Sequence, residues 1–579
     1  MKNHFRSCVC WGATALLLTQ LASAQAADIA WDANGGTGGN FTTAANWVGD
    51  VVPGSFDLAR INSNTSSLNP VTFASGSVTV DNINLGSSTP SFMEVNGGTL
   101  IALGIDITDF KIGADASQES TFTLSSGTIE FGIAGIYTDS NDFDIGKNGY
   151  GRYVQTGGLL QQHADDVKIA DSAGGIGYAD ITGGQMFVAD GFSVSDNVGG
   201  TGTLIIGGTA EVVSGNSGGL GSNLGSMAAG YVSVANNGGT GFLEILDTGA
   251  VYARYLEYKG ANSGSATIKV GGTGGKLIIS DSFVRGAPAG GNNSNVIGDI
   301  ASSVTGVLEV RASGTFAVDN DTGADYGAGY VIGRAGKGNL SVDGSNARVV
   351  VRQRLLVASG GSDMNFEFDF PGSSTPGEGT MEVGAGGNVA VSELQIGVTG
   401  VGTLTQTGGA IVADNTSPLF AEVGFADGVY GEDVVVGSLT GSTGTYTHSG
   451  GTLNAKRHFV IGEYGSGSYA MSGTATATAG GIGVARNTGS TGSLTINGGE
   501  LSANVINVGE IGTGTTSVAD GKLIAGGGSL FVGGQNDLGT GTLTLNQTGV
   551  ALSDDDLQFG RVGTGTLNMN VGSYMNGIY

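Results

Sequence analysis

The chain has 579 residues, 110 of them glycine and only 7 proline, with 39% hydrophobic and 13% charged side chains. That apolar content excludes a disordered polymer, and the absence of glycine at every third position excludes a collagen triple helix. A net charge of −27 argues against nucleic acid and anionic lipid as partners, because both require a basic surface.

Residues 1–26 read as a secretory signal peptide. Lys2 and Arg6 supply a basic start, Trp11 to Leu21 a short apolar run, and Ala22-Ser23-Ala24 and Ala24-Gln25-Ala26 two overlapping cleavage sites of small residues. No later stretch has the roughly 18 consecutive apolar residues of a spanning helix, so no membrane span is expected after the signal. Cys8 and Cys10 are the only cysteines, so a mature chain would have neither disulfides nor thiolate metal sites. Removal of the signal takes away two positive charges and no negative ones, leaving −29.

Residues 27–75 differ from the repeats that occupy the rest of the chain. They carry Trp31-Asp32, Phe41-Thr42-Thr43-Ala44-Ala45-Asn46-Trp47, Val52-Pro53-Gly54 and Asp57-Leu58-Ala59-Arg60-Ile61, with two of the three tryptophans of the chain. A stack of strands needs its first apolar end and open edge covered. This segment reads as an N-terminal cap, with Trp31 and Trp47 over the end of the core. The functional rival is a paired-Trp sugar platform.

Residues 76–579 read as β-solenoid repeats, all-β, with a period near 25. An apolar residue followed by glycine recurs as Val436-Gly437, Ile461-Gly462, Ile482-Gly483, Val508-Gly509, Val532-Gly533 and Phe559-Gly560, in steps of 25, 21, 26, 24 and 27 residues. Such periods signal stacked repeats. Many repeats also contain a run opened and closed by glycines six apart, such as Gly444 to Gly450 and Gly492 to Gly498. Between them side chains alternate, as in Ser493-Leu494-Thr495-Ile496-Asn497, which is the period of a half-buried strand. The closing glycines are expected to adopt positive φ at a corner. About 22 repeats at roughly 4.8 Å each would make a rod on the order of 100 Å long.

Together the motifs of residues 27–75 and the Gly-Thr-Leu and apolar-Gly repeats resemble bacterial secreted proteins with autotransporter-associated β-strand repeats. The resemblance implies a single-stranded right-handed parallel β-helix, a cell-surface or extracellular location, and often no known biochemical role. Relatives carry an outer-membrane barrel or an exosortase-sorted C-terminal tail. Neither is present before Gly577-Ile578-Tyr579, so the expectation is either a fragment or another attachment device. An uncapped last repeat, with Leu567, Met569 and Tyr574 near its end, predicts end-to-end self-association.

No catalytic constellation is evident. The histidines beyond the signal, His163, His448 and His458, lack zinc-ligand spacing. No nucleophile elbow or phosphate loop is present. Asp319, Asp321 and Asp325 alternate in a glycine-containing loop and are the calcium candidates, with Asp139…Asp142-Phe143-Asp144 and Asp554-Asp555-Asp556 of similar kind. No other cofactor is expected. A lyase-like base could be sought in Lys168 or Arg354, but no spacing supports either. Outward strand positions are rich in hydroxyls, including Thr403, Thr405, Thr445, Thr447, Thr542 and Thr544, which would stack in two columns if repeats align. The function expected is an exported, non-enzymatic structural or adhesive rod binding a cell-surface or matrix polymer. The alternatives are a glycan-binding or polysaccharide-lyase-like β-helix and, more remotely, ice or crystal-surface binding through the Thr columns.

Overall fold

The computed structural model describes residues 27–578 apart from 64, 88, 106–108, 115–118, 134–140, 164, 196, 216–229, 236–237, 254, 258–263, 281–295, 298–304, 320–329, 334–335, 360–375, 426, 429–430 and 535–537. The signal-peptide reading of residues 1–26 lies outside the described residues. The described chain is all-β, with long parallel sheets; its one α-helix is Pro418–Glu422. No helix among the described residues is long and apolar enough to cross a membrane.

The alternation in the glycine-bounded runs builds the first strand of each repeat. Thr443–His448 pairs in parallel with Val401–Gln406 on one side and with Ser466–Met471 on the other, glycine on glycine. The same ladder runs without a break through 19 strands, from Gly39–Asn40 to Thr564–Met569. That is fewer than the expected 22. Several steps exceed the period: Ser265 pairs with Thr305, Lys337 with Glu378 and Val401 with Thr443. Inward positions along it, such as Leu404, Tyr446, Tyr469 and Leu494, are buried.

Each repeat contains two further ladders. One includes Ala410–Ala413 and Thr452–Ala455. The other includes Val434–Val436 and Phe459–Ile461. All three send apolar side chains into one continuous core from Trp31 to Ala551. Some strands bend through the corners between ladders. Ser466–Val484 and Thr491–Val508 each run across all three, with register shifts at the bends.

The third ladder stacks the apolar residues of the apolar-glycine series on one another in every repeat but one. Val436 pairs with Ile461, Ile461 with Val484, Val484 with Val508, Val508 with Val532 and Val532 with Phe559. Ile482 instead stands two residues earlier, between Phe459 and Ile506. The corner after Val484 is Ala485, whose φ of 55° takes the left-handed conformation that Gly437, Gly462, Gly509 and Gly533 hold in the equivalent repeats. An apolar-glycine pattern misses a corner built on alanine.

At the N-terminal end Asp28–Ala30 pairs with Leu58–Ile61, and Gly39–Asn40 with Val71–Thr72. Trp31 and Trp47 are buried, edge to face at 4.9 Å, and the Trp47 indole donates to the Phe41 carbonyl at 2.7 Å. Two indoles packed into the core cannot offer open faces to a sugar, so the exposed Trp platform is not what this segment forms.

Candidate functional site: an acidic cluster and a hydroxyl face

Four candidate features are spread along the ladders. Of the calcium candidates, Asp319 ends the strand Thr315–Asp319 and is buried, with Oδ1 accepting from Arg352 at 3.0 Å. Arg352 also donates to the carbonyl of Asp427 at 3.1 Å. Asp427 lies just beyond the helix Pro418–Glu422, whose Phe420 packs with Phe425 over Ile278, Ala317 and Val350 on the outer side of the sheet. Asp319 thus belongs to a buried ion pair that fastens an excursion of the chain. Asp321 and Asp325 lie outside the described residues. Arg354 donates to Glu393 at 3.0 Å across the ladder, also as an ion pair.

The carboxylates that do converge are Asp142, Asp165 and Asp166, which offer one oxygen each within 4.8 Å of one another. Their convergence comes from the register. Phe143 stacks on Val167, so Asp142 stands beside Asp166, and Lys168 beside Asp144. Lys168 Nζ donates to Asp142 at 2.7 Å, and Lys147 Nζ to Asp109 at 2.6 Å and Asp144 at 2.9 Å. Farther along the same column Tyr231 sits opposite Gly191, and its phenol donates to Asp166 at 2.5 Å. A Cβ on Gly191 would lie 2.3 Å from the Tyr231 ring, so only glycine lets the phenol cross it.

Burial penalises negative charge here. It raises Asp165 to about 7, helped by the charge of Asp166, and raises Asp166 to about 7 against the hydrogen bond from Tyr231. Asp142 is raised by burial and partly restored by Lys168, and buried Asp144 is raised further by burial and by Asp109. Burial alone would lower Lys168, but its hydrogen bond and attraction to Asp142 outweigh that and hold the ammonium well above the ordinary lysine range. An amine held protonated cannot take a proton at neutral pH, so Lys168 does not suit the role of lyase base. The oxygen donors suit a hard cation in kind. The Lys168 ammonium, however, already stands where a cation would neutralise Asp142.

The six threonines singled out by sequence lie on the outer side of the first ladder. Thr403 pairs with Thr445 and Thr405 with Thr447. Pairing continues through Ser468, Ser493 and Thr515 to Thr542, and through Ala470, Thr495 and Ser517 to Thr544. A third column, missed in the sequence, precedes them: Thr443, Ser466, Thr491, Thr513, Thr540 and Thr564. It was legible as the residue just before each opening glycine. These columns carry no charged side chain from Thr443 to Asn568. Earlier in the chain the same positions hold Arg152, Asp180, Glu244, Lys269, Glu309 and Glu382. Neighbouring hydroxyls stand about 4.8 Å apart along the stack and roughly 6.7 Å apart across it.

The fourth feature is a cleft of 260 Å³ on the third ladder, walled by His458 and Val460 on one side and Val505 and Asn507 on the other. No family model, curated protein or solved structure matches the chain. The resemblance to autotransporter-associated repeats therefore rests on the sequence motifs alone.

Proposed function

We propose that this chain is an exported, non-enzymatic surface rod of the autotransporter-passenger kind: a single right-handed parallel β-helix, capped by residues 27–75, that holds a flat hydroxyl face against a neutral cell-surface or matrix polymer. The observation that carries the reading is the uncharged face from Thr443 to Asn568 in a molecule of net charge −27. Elsewhere acidic charge repels polyanions and other copies of the chain; on this face nothing does. Stacked repeats suit the role because they extend one surface by repetition.

The test is retention of the purified chain on insoluble neutral polysaccharides, compared with a variant carrying Thr445→Lys, Thr515→Lys and Thr542→Lys. Thr515 is exposed and Thr445 and Thr542 are half-buried on the outer side, where substitutions shift stability by only about 0.5 kcal/mol each. The wild type is expected to be retained and the variant released at least tenfold more readily. Equal retention of both would overturn the role of the face. Thermal hysteresis without polymer retention would move the assignment to ice-surface binding.

A further inference from the structure

Most glycines in this chain are dictated by the backbone. A Cβ on Gly444 would lie 2.3 Å from the Ile396 carbonyl oxygen, and one on Gly467 would lie 2.3 Å from that of Val436. Gly481 and Gly483 are different. Neither has positive φ, and a Cβ would first meet side-chain atoms, His458 Cδ2 at 3.3 Å and Glu510 Oε2 at 3.4 Å respectively. Local backbone geometry does not demand glycine at either position.

Their place in the ladder shows what they leave out. Gly481 stands between His458 and Val505, and Gly483 between Val460 and Asn507, at the two outward positions of the third strand. Every other repeat from Asp433 to Gln558 carries side chains at those positions, among them Val435, Phe531 and Gln558. Two missing side chains in one repeat open the 260 Å³ cleft as a slot one strand wide. Its side walls stand two strand spacings apart, roughly 9.6 Å between backbones.

The lining is mixed in a particular way. Val505 faces His458 across Gly481, and Val460 faces Asn507 across Gly483, over a floor of glycine α-carbons. His458, Asn507, Arg486 and Glu510 stand around it. Arg486 lies 3.9 Å from Glu463 and lines the slot together with Glu510, so the guanidinium is matched by carboxylates and the slot offers no excess positive charge to an anion. Asn507 Oδ1 is shut off from solvent and has no hydrogen-bond partner in the chain. A buried acceptor left open costs about 1–3 kcal/mol, which favours turning the Asn507 amide into the slot to meet an O–H or N–H there.

We propose that this slot binds a single neutral sugar ring, its C–H face on the glycine floor and its hydroxyls on Asn507, His458 and the Arg486–Glu510 end. The slot rests on the surface-rod reading only for the source of the sugar. It is separate from the hydroxyl face, which lies on the first ladder.

The test is saturation-transfer NMR of the purified chain with free glucose, galactose, mannose and N-acetylglucosamine, and with glucuronate as a charged comparison. At least one neutral sugar is expected to give transfer, and Gly483→Val, which fills the slot, should weaken it at least tenfold with thermal stability unchanged. Asn507→Ser, which keeps the cleft open, should weaken it less. The Lys-substituted hydroxyl-face variant should bind free sugar as the wild type does even if it loses polymer retention, which separates the two proposals. Transfer from no neutral sugar, preference for glucuronate, or full binding by both Gly483→Val and Asn507→Ser would overturn the assignment.

Discussion

Replacing Val508 by Asp should open the middle of the stack while leaving its N-terminal repeats folded. Val508 is 1% exposed and stands between Val484 and Val532 in the inward column. Burying a valine contributes roughly 1.5–3 kcal/mol, and the substitution adds a carboxylate with no partner in an apolar column. The expected loss is about 4 kcal/mol or more. Because each repeat touches only its neighbours, the damage should stay near its origin. Hydrogen exchange read by mass spectrometry should show lost protection across 484–532 and unchanged protection across 71–131. Uniform loss over the whole chain would mean one global unit rather than stacked repeats.

Gly541→Ala should cost about 3 kcal/mol, in contrast to Gly483→Ala, which should stay within about 0.5 kcal/mol. A Cβ on Gly541 would lie 2.1 Å from the Val508 carbonyl oxygen and 2.3 Å from the Gly533 nitrogen. Both neighbours are backbone atoms held in ladders, so they cannot step aside. At Gly483 the first obstacle is the flexible end of Glu510. Denaturant unfolding of the two variants measures the difference directly. Similar costs at both sites would contradict the distinction between glycines set by crowding and glycines that keep a slot open.

That distinction marks where sequence reading stops. The period, the strand alternation and the stacking of Thr403 on Thr445 are legible from pattern, because a strand has side chains of period two and repeats of equal grammar align. The role of each glycine is not. The pattern predicts positive φ at the closing glycines; Gly208 and Gly498 adopt it, whereas at Gly157, Gly183, Gly408 and Gly450 it falls on the next residue, Gly158, Gly184, Gly409 and Gly451. At those four positions the first glycine of the pair is fixed by crowding instead, as where a Cβ on Gly450 would lie 2.6 Å from the Thr407 carbonyl oxygen. Corners at Ala170, Ser195, Ala235, Ala358 and Ala485 also adopt positive φ, and no glycine pattern can find them. The acidic cluster is hidden for a related reason. Asp142 and Asp166 are 24 residues apart, and only the register of Phe143 on Val167 brings them side by side.

The most direct measurement of the in-register stack is a pair of engineered disulfides. Residues 27–579 contain no cysteine, so an introduced pair has no competitor there. Thr515 pairs with Thr542, which puts their α-carbons about 4.8 Å apart, within disulfide reach. The diagonal pair Thr515 and Thr544 stands roughly 8 Å apart, beyond it. Mild oxidation and thiol titration should show a bond in the Thr515→Cys, Thr542→Cys chain and free thiols in the Thr515→Cys, Thr544→Cys chain. A bond in the second and none in the first would contradict the register on which the hydroxyl face and the sugar slot both depend.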